Sequence, residues 1–145
     1  MVVLLASVVM IVGGLVQAPP QPAKAPAPAS ETATQFYLRY RAAVAKATSV
    51  DEVLTLWAAE AANEYRSTPP DQRADLAGIQ RMNSMVSEVT VTREEVSVGA
   101  GATGADVRAV LSLEGLARDQ KKVTGTAHLG KKSGEWKLVE PEQWK

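Results

Sequence analysis

Apolar residues in this chain change their spacing three times, and each change marks a different kind of segment. Phe36, Tyr40, Val44 and Ala47 recur every three or four residues, with Tyr37 beside them. That period predicts an amphipathic helix from Glu31 to about Ala47, with Ser30 as its N-cap. Thr48-Ser49 interrupts it. Ser49 with Glu52 three residues later forms a capping-box pattern, and Val53, Leu54, Trp57, Ala58, Ala61 and Tyr65 supply the stripe of a second helix. Thr68-Pro69-Pro70-Asp71 is the predicted opening of a third helix, because threonine caps and proline suits a first turn. Leu76, Ile79, Met82 or Asn83, and Val86 would be its buried face.

From Ser87 the period becomes two. Val89 and Val91 alternate with polar residues, and Val96 and Val98 continue on the opposite parity. An extra residue near Arg93 to Glu95, a β-bulge, would restore the face. Gly99 to Gly104 is glycine-rich and predicts a flexible hairpin loop. Ala105 to Ala117 alternates cleanly, Lys121 to Leu129 follows, and Glu135 to Glu140 closes the set after a Lys131–Gly134 turn. Paired strand residues share a face. A three-residue loop at Arg118–Gln120 would therefore set Leu111 opposite Ala127 and Leu113 opposite Gly125. The four-residue turn would set Leu129 opposite Trp136. His128 then falls on the polar face, across from Val110 and Lys137. The apolar face reads Val107, Ala109, Leu111, Leu113, Val123, Ala127, Leu129, Trp136 and Leu138. Glycines at 115 and 125 mark places where the sheet can bend. The expected fold is α+β, three N-terminal helices packed on a bent antiparallel sheet of about four strands.

Ahead of this domain, Met1 to Val16 is apolar and uncharged. Its length lies between a signal-peptide core and the roughly 20 residues of a membrane span. The expectation is an export signal or membrane anchor over residues 1–17, with cleavage and retention both open. Residues 18–29 contain five prolines and predict a semi-rigid extended spacer able to reach about 35 Å. Residues 30–145 then form one domain, placed outside the cytoplasm, periplasmic or secreted, with residues 1–17 able to hold it in an inner membrane.

Charge narrows the function. Sixteen basic residues balance sixteen acidic ones, and Lys24 is the only charge before Ser30. Such balance gives no footprint for nucleic acid. It also argues against a polybasic membrane-surface module. With no cysteine, disulfides and thiolate–metal sites have no side chains to build them, and a single histidine nearly excludes nucleophilic triads. No cofactor or metal is expected. His128, on a polar strand face with cationic neighbours, reads as a surface residue rather than a general base. Polar groups could still reach the interior from helices, such as Arg39, Tyr40, Glu60 or Tyr65. Titratable residues bound the apolar strand face only at its ends, as Lys121 and Glu140. Tyr40, Trp57, Tyr65, Leu111 and Trp136 are the pocket candidates, an apolar lining with a few hydroxyls.

Three stretches carry a family resemblance: Phe36-Tyr37-Leu38-Arg39-Tyr40 in the opening helix, Val50 to Ala58 (VDEVLTLWA), and the closing Gly134-Glu135-Trp136-Lys137-Leu138-Val139. Together they make residues 30–144 resemble the NTF2-like, or cystatin-like-fold, superfamily, within a small exported bacterial subgroup often described as domains of unknown function. The resemblance implies a cone-shaped fold. Tyr65 to Thr68 leaves little room for the short strand that many members carry between the second and third helices. The resulting expectation is a non-enzymatic binding or scaffold module of the cell envelope. Its partners would be a small apolar ligand, an envelope protein, or a second copy through the sheet face. The alternative is an isomerase- or dehydratase-type enzyme acting on a small apolar substrate.

Overall fold

The computed structural model describes residues 30–115 and 122–145. The expectations for residues 1–29 and for the Arg118–Gln120 loop fall outside the described residues.

Helix α1 (Ala33–Lys46) starts two residues later than the Ser30 cap predicts. Thr32 caps it instead, accepting from Gln35 N while the Gln35 side chain returns to Thr32 N, a reciprocal capping box. Phe36, Tyr37 and Val44 are buried along it. Ser49 caps the next helix as predicted, accepting from Glu52 N. The Glu52 carboxylate, however, accepts from Thr48 N and Thr48 Oγ1 rather than from Ser49 N.

The predicted second helix is two. Helix α2 (Val50–Leu54) and helix α3 (Ala59–Ser67) flank a break at Thr55–Ala58. The break exists because Leu56 and Ala58 turn their backbones to the sheet. Leu138 N donates to Leu56 O, and Ala58 N donates to Leu138 O, which makes a parallel bridge between Trp57 and Leu138. Two strong sheet hydrogen bonds outcompete the intrahelical ladder at this point. The extended piece thus sits inside the predicted helix, not at Tyr65–Thr68.

Thr68 does not open a helix. Its hydroxyl and amide both bond to Glu64 O, so it ends α3. Asp75 caps helix α4 (Leu76–Ser84), accepting from Gly78 N. Gln80 on α4 donates to Val44 O and Ala47 O, and Asn83 donates to Arg41 O. These bonds satisfy the carbonyls at the open end of α1 and fix α4 beside it.

The sheet is antiparallel, in the order β1 (Val86–Gly99), β2 (Ala102–Leu113), β3 (Lys122–Lys132) and β4 (Glu135–Leu138). A short β5 (Gln143–Trp144), not foreseen, also pairs with β3. The bulge in β1 falls between Val91 and Arg93, next to its predicted place. The glycine-rich loop is shorter than expected, since Gly99 pairs with Ala102 and only Ala100 and Gly101 turn the chain. Gly101 takes a positive φ of 80°.

Both later registers differ from the expected ones. Leu111 pairs with Val123 and Ala109 with Gly125; Leu129 pairs with Leu138 and Trp136 with Lys131. The second difference follows from a two-residue turn, Ser133 (φ 55°) and Gly134 (φ 83°), in place of a four-residue one. Each slip is an even number of residues, so no side chain changes face. Val107, Ala109, Leu111, Leu113, Ala127, Leu129, Trp136 and Leu138 are all buried against the helices, as the alternation predicts. Among the described residues no helix is long and apolar enough to cross a membrane.

Candidate functional site

The two open ends of this core differ. At one end the N-terminal turn of α1 closes over the sheet. Trp136 Nε1 donates to Glu31 O at 2.7 Å, and Lys131 lies over the indole at 5.3 Å from the ring centroid. Glu94, turned inward beyond the bulge, accepts from Thr34 N at 2.7 Å and Thr34 Oγ1 at 2.5 Å. A carboxylate there suits the positive end of the helix.

At the other end a cavity of about 420 Å³ opens between the C-terminal half of α1, α3, α4 and the segment after β4. Tyr40, Trp57, Tyr65 and Trp144 form aromatic walls, and Val44, Ile79, Met82 and Val139 extend the apolar lining. The size and lining suit a small organic ligand. Trp57 Nε1 donates to the Tyr40 hydroxyl at 3.2 Å, and its ring meets Tyr65 edge-on at 5.8 Å. Such an arrangement fixes ring orientation, so the walls are pre-set.

Glu142, which follows the last long strand, turns its carboxylate to the cavity floor. Arg41 Nη1 donates to Glu142 Oε2 at 2.6 Å, and the Tyr37 hydroxyl donates to Glu142 Oε1 at 2.5 Å. The Arg41 and Glu142 side chains retain only 10% and 12% of their exposure. This corrects the expectation that no acid reaches the middle of the interior. The strands contribute none, as the alternation predicts, but the C-terminal segment lays one across them. Burial, and next the Glu142 carboxylate, push the Tyr37 phenol well above the usual tyrosine range. Burial also raises Tyr40, partly offset by the Trp57 hydrogen bond. Both phenols are therefore neutral at physiological pH, Tyr37 donating to Glu142 and Tyr40 accepting from Trp57.

Of the five predicted pocket residues, Tyr40, Trp57 and Tyr65 meet around the cavity. Leu111 and Trp136 do not. Leu111 is fully buried within the core, while Trp136 is held at the opposite end by Glu31. Of the other helix-borne groups, Arg39 is turned outward and paired with Glu31 at 2.7 Å, and Glu60 is exposed. Sequence reasoning missed Arg41, Glu142 and Trp144. The Tyr37–Arg41–Val44 spacing on one helix face was a usable signal for Arg41; Glu142 and Trp144 lie in a stretch without periodicity.

His128 stands on the outer face, as expected, but its neighbour differs. The register places it opposite Asp106, not Val110, and Nδ1 lies 2.6 Å from Asp106 Oδ1. The pair is partly solvated, and neither residue lines the cavity. Among the described residues no group of three or more acidic, histidine or cysteine side chains is arranged to hold a metal ion.

No family model and no curated protein sequence matches the chain. Among solved structures, one from Novosphingobium aromaticivorans, provisionally named an aromatic ring hydroxylase, aligns with 77% of this chain and 90% of its own. It is 19% identical with a TM-score of 0.38, a likeness too slight to carry an argument.

Proposed function

We propose that the domain is a non-enzymatic binding module of NTF2-like type, holding a small, largely apolar, uncharged ligand. The observation that supports this is the aromatic-walled cavity of about 420 Å³ with its floor charges already paired to each other. At the floor a charged ligand would find Arg41 and Glu142 mutually neutralised, with Arg41 Nη2 the one donor of the pair that has no partner among the described residues, a small return for its lost hydration. The same pairing weakens the isomerase or dehydratase alternative. Both Glu142 oxygens are already hydrogen-bonded, one by Tyr37 and one by Arg41, so a substrate would have to displace one of these partners to reach the carboxylate. The apolar segment and proline-rich spacer ahead of the domain support an extracytoplasmic, membrane-tethered site of action.

Native mass spectrometry of the full chain purified from membranes tests the reading. The expected result is a co-purifying small neutral molecule, retained by the wild type and lost on Ala61→Trp, which fills the cavity from α3. Failure to retain any molecule, or equal retention by both proteins, sinks it. A molecule returned chemically changed would favour the enzyme alternative. A second copy or an envelope protein in the same spectra would identify the partner.

A further inference from the structure

The β1–β2 hairpin runs past the cover that the helices give the sheet. Val96 is 52% exposed and Val98 81%, although both lie on the face that is buried farther along the strands. From Val96 to Ala105 no residue carries a charge. The turn of the neighbouring hairpin lies at the same end, because Thr103 pairs with Lys131 and Lys131 with Trp136. Among the described residues Lys131 and Lys132 make no ion pair, Lys131 lying over the Trp136 indole, while Glu135 beside that turn is approached by Lys137 at 3.4 Å.

The domain also begins here. Glu31 O receives the Trp136 indole and Thr34 is bound by Glu94, so residue 30 lies at the hairpin end of the sheet. The 29 residues that precede it, with their apolar run, therefore join the domain beside an exposed apolar tip and two lysines. The cavity lies toward the other end of α1, at Tyr40, Arg41 and Val44.

We propose that the tip of the β1–β2 hairpin, with Lys131 and Lys132, is a contact surface for a lipid bilayer bearing anionic headgroups. Val98 and the uncharged loop enter the boundary between headgroups and acyl chains, and the lysines meet lipid phosphates. Two valines and two lysines make a weak surface for a free domain. The membrane tether of the proposed function, on which this inference rests, changes this, because it keeps the tip at high local concentration near the bilayer. The contact would orient the cavity mouth away from the membrane. Pairing of β1 with a second copy is the competing occupant of this region. Arg93, Glu94 and Glu95 stand on that open edge, and the bulge beside them interrupts its ladder, both of which discourage edge pairing.

The chain has no cysteine, so one introduced thiol reports one position. The full chain, carrying Val98→Cys labelled with nitrobenzoxadiazole, is reconstituted into vesicles of phosphatidylcholine and phosphatidylglycerol in equal parts. Asn63→Cys on α3 serves as the comparison. The expected result is a blue-shifted emission at position 98, with quenching by spin-labelled lipid several-fold stronger than at 63. Replacing Lys131 and Lys132 by glutamine should lower the fraction of immersed tip by about an order of magnitude. Equal quenching at the two positions, indifference to the lysine changes, or a blue shift that needs no lipid and rises with protein concentration each overturns the proposal. The last of these would identify the second copy.

Discussion

Glu142 rests its carboxylate on the backbone of Gly125, where a side chain would otherwise stand. A Cβ at position 125 would lie 2.9 Å from Leu111 Cδ1 and 3.3 Å from Glu142 Cδ, closer still to Oε1. Neither neighbour can yield freely, since Leu111 is fully buried and Glu142 is held by Arg41 and Tyr37. Gly125→Ala should cost about 1–3 kcal/mol, the usual range for overpacking. Trp144, which pairs with Gly125, should report the displaced tail as a red-shifted fluorescence. Gly130→Ala meets only the end of an exposed valine, Val139, and should cost much less. Urea unfolding of the two variants checks the order.

The Arg41–Glu142 pair is nearly buried and has one further dependent, the Tyr37 hydroxyl. One Arg41 nitrogen, Nη2, is buried without a partner among the described residues, so the guanidinium already bears a desolvation cost. Removing one member strands the other. Arg41→Met or Glu142→Leu alone should lose about 3–5 kcal/mol, and the double variant should lose much less than the sum. A double-mutant cycle by chemical denaturation measures this. Additive losses would show that the ions contribute independently.

The sequence revealed faces better than it revealed partners. Alternation from Val107 to Leu113 and from Val123 to Leu129 located the buried side correctly, because an even slip of register leaves parity intact. It could not fix the loop lengths that set the register, so His128 was matched with Val110 when its neighbour is Asp106. The split of the second helix was hidden for a similar reason. Val53 to Tyr65 keeps a helical stripe throughout, and only the distant Leu138 backbone makes extension at Trp57 the better choice. Three cavity residues were legible from their helical spacing. Glu142 was not, since its partners lie 101 and 105 residues away and nothing in its own neighbourhood encodes them.

The β1 bulge, which was legible, has a consequence at α1. With Thr92 extra, Glu94 faces inward and reaches the amide and hydroxyl of Thr34 in the first helical turn. Glu94→Gln keeps the size but removes the charge that complements the helix N-terminus. It should cost about 1 kcal/mol. Added salt should narrow the difference between wild type and variant, because screening weakens only the charged version. Melting curves at low and high ionic strength provide the comparison.

Alkaline pH should unfold the domain through its buried phenols. Tyr37 has a folded pKa raised above its unfolded value, first by burial and then by the adjacent Glu142 carboxylate. Below the unfolded value, roughly pH 10, the phenol is neutral in both states and its contribution is fully present. As pH rises further, the unfolded chain gives up a proton that the folded chain retains, so stability falls with pH. Tyr40 is shifted in the same direction, again chiefly by burial, and adds to the slope. Tyr37→Phe removes one of the two protons from this balance. It should lower stability near neutral pH by about 1.5–3 kcal/mol, for the lost bond to a carboxylate. Its decline above about pH 10 should then be shallower than that of the wild type. Urea midpoints for both proteins, taken from roughly pH 8 to 11, decide the matter. Parallel curves would mean that the Tyr37 hydroxyl is not held as the geometry indicates.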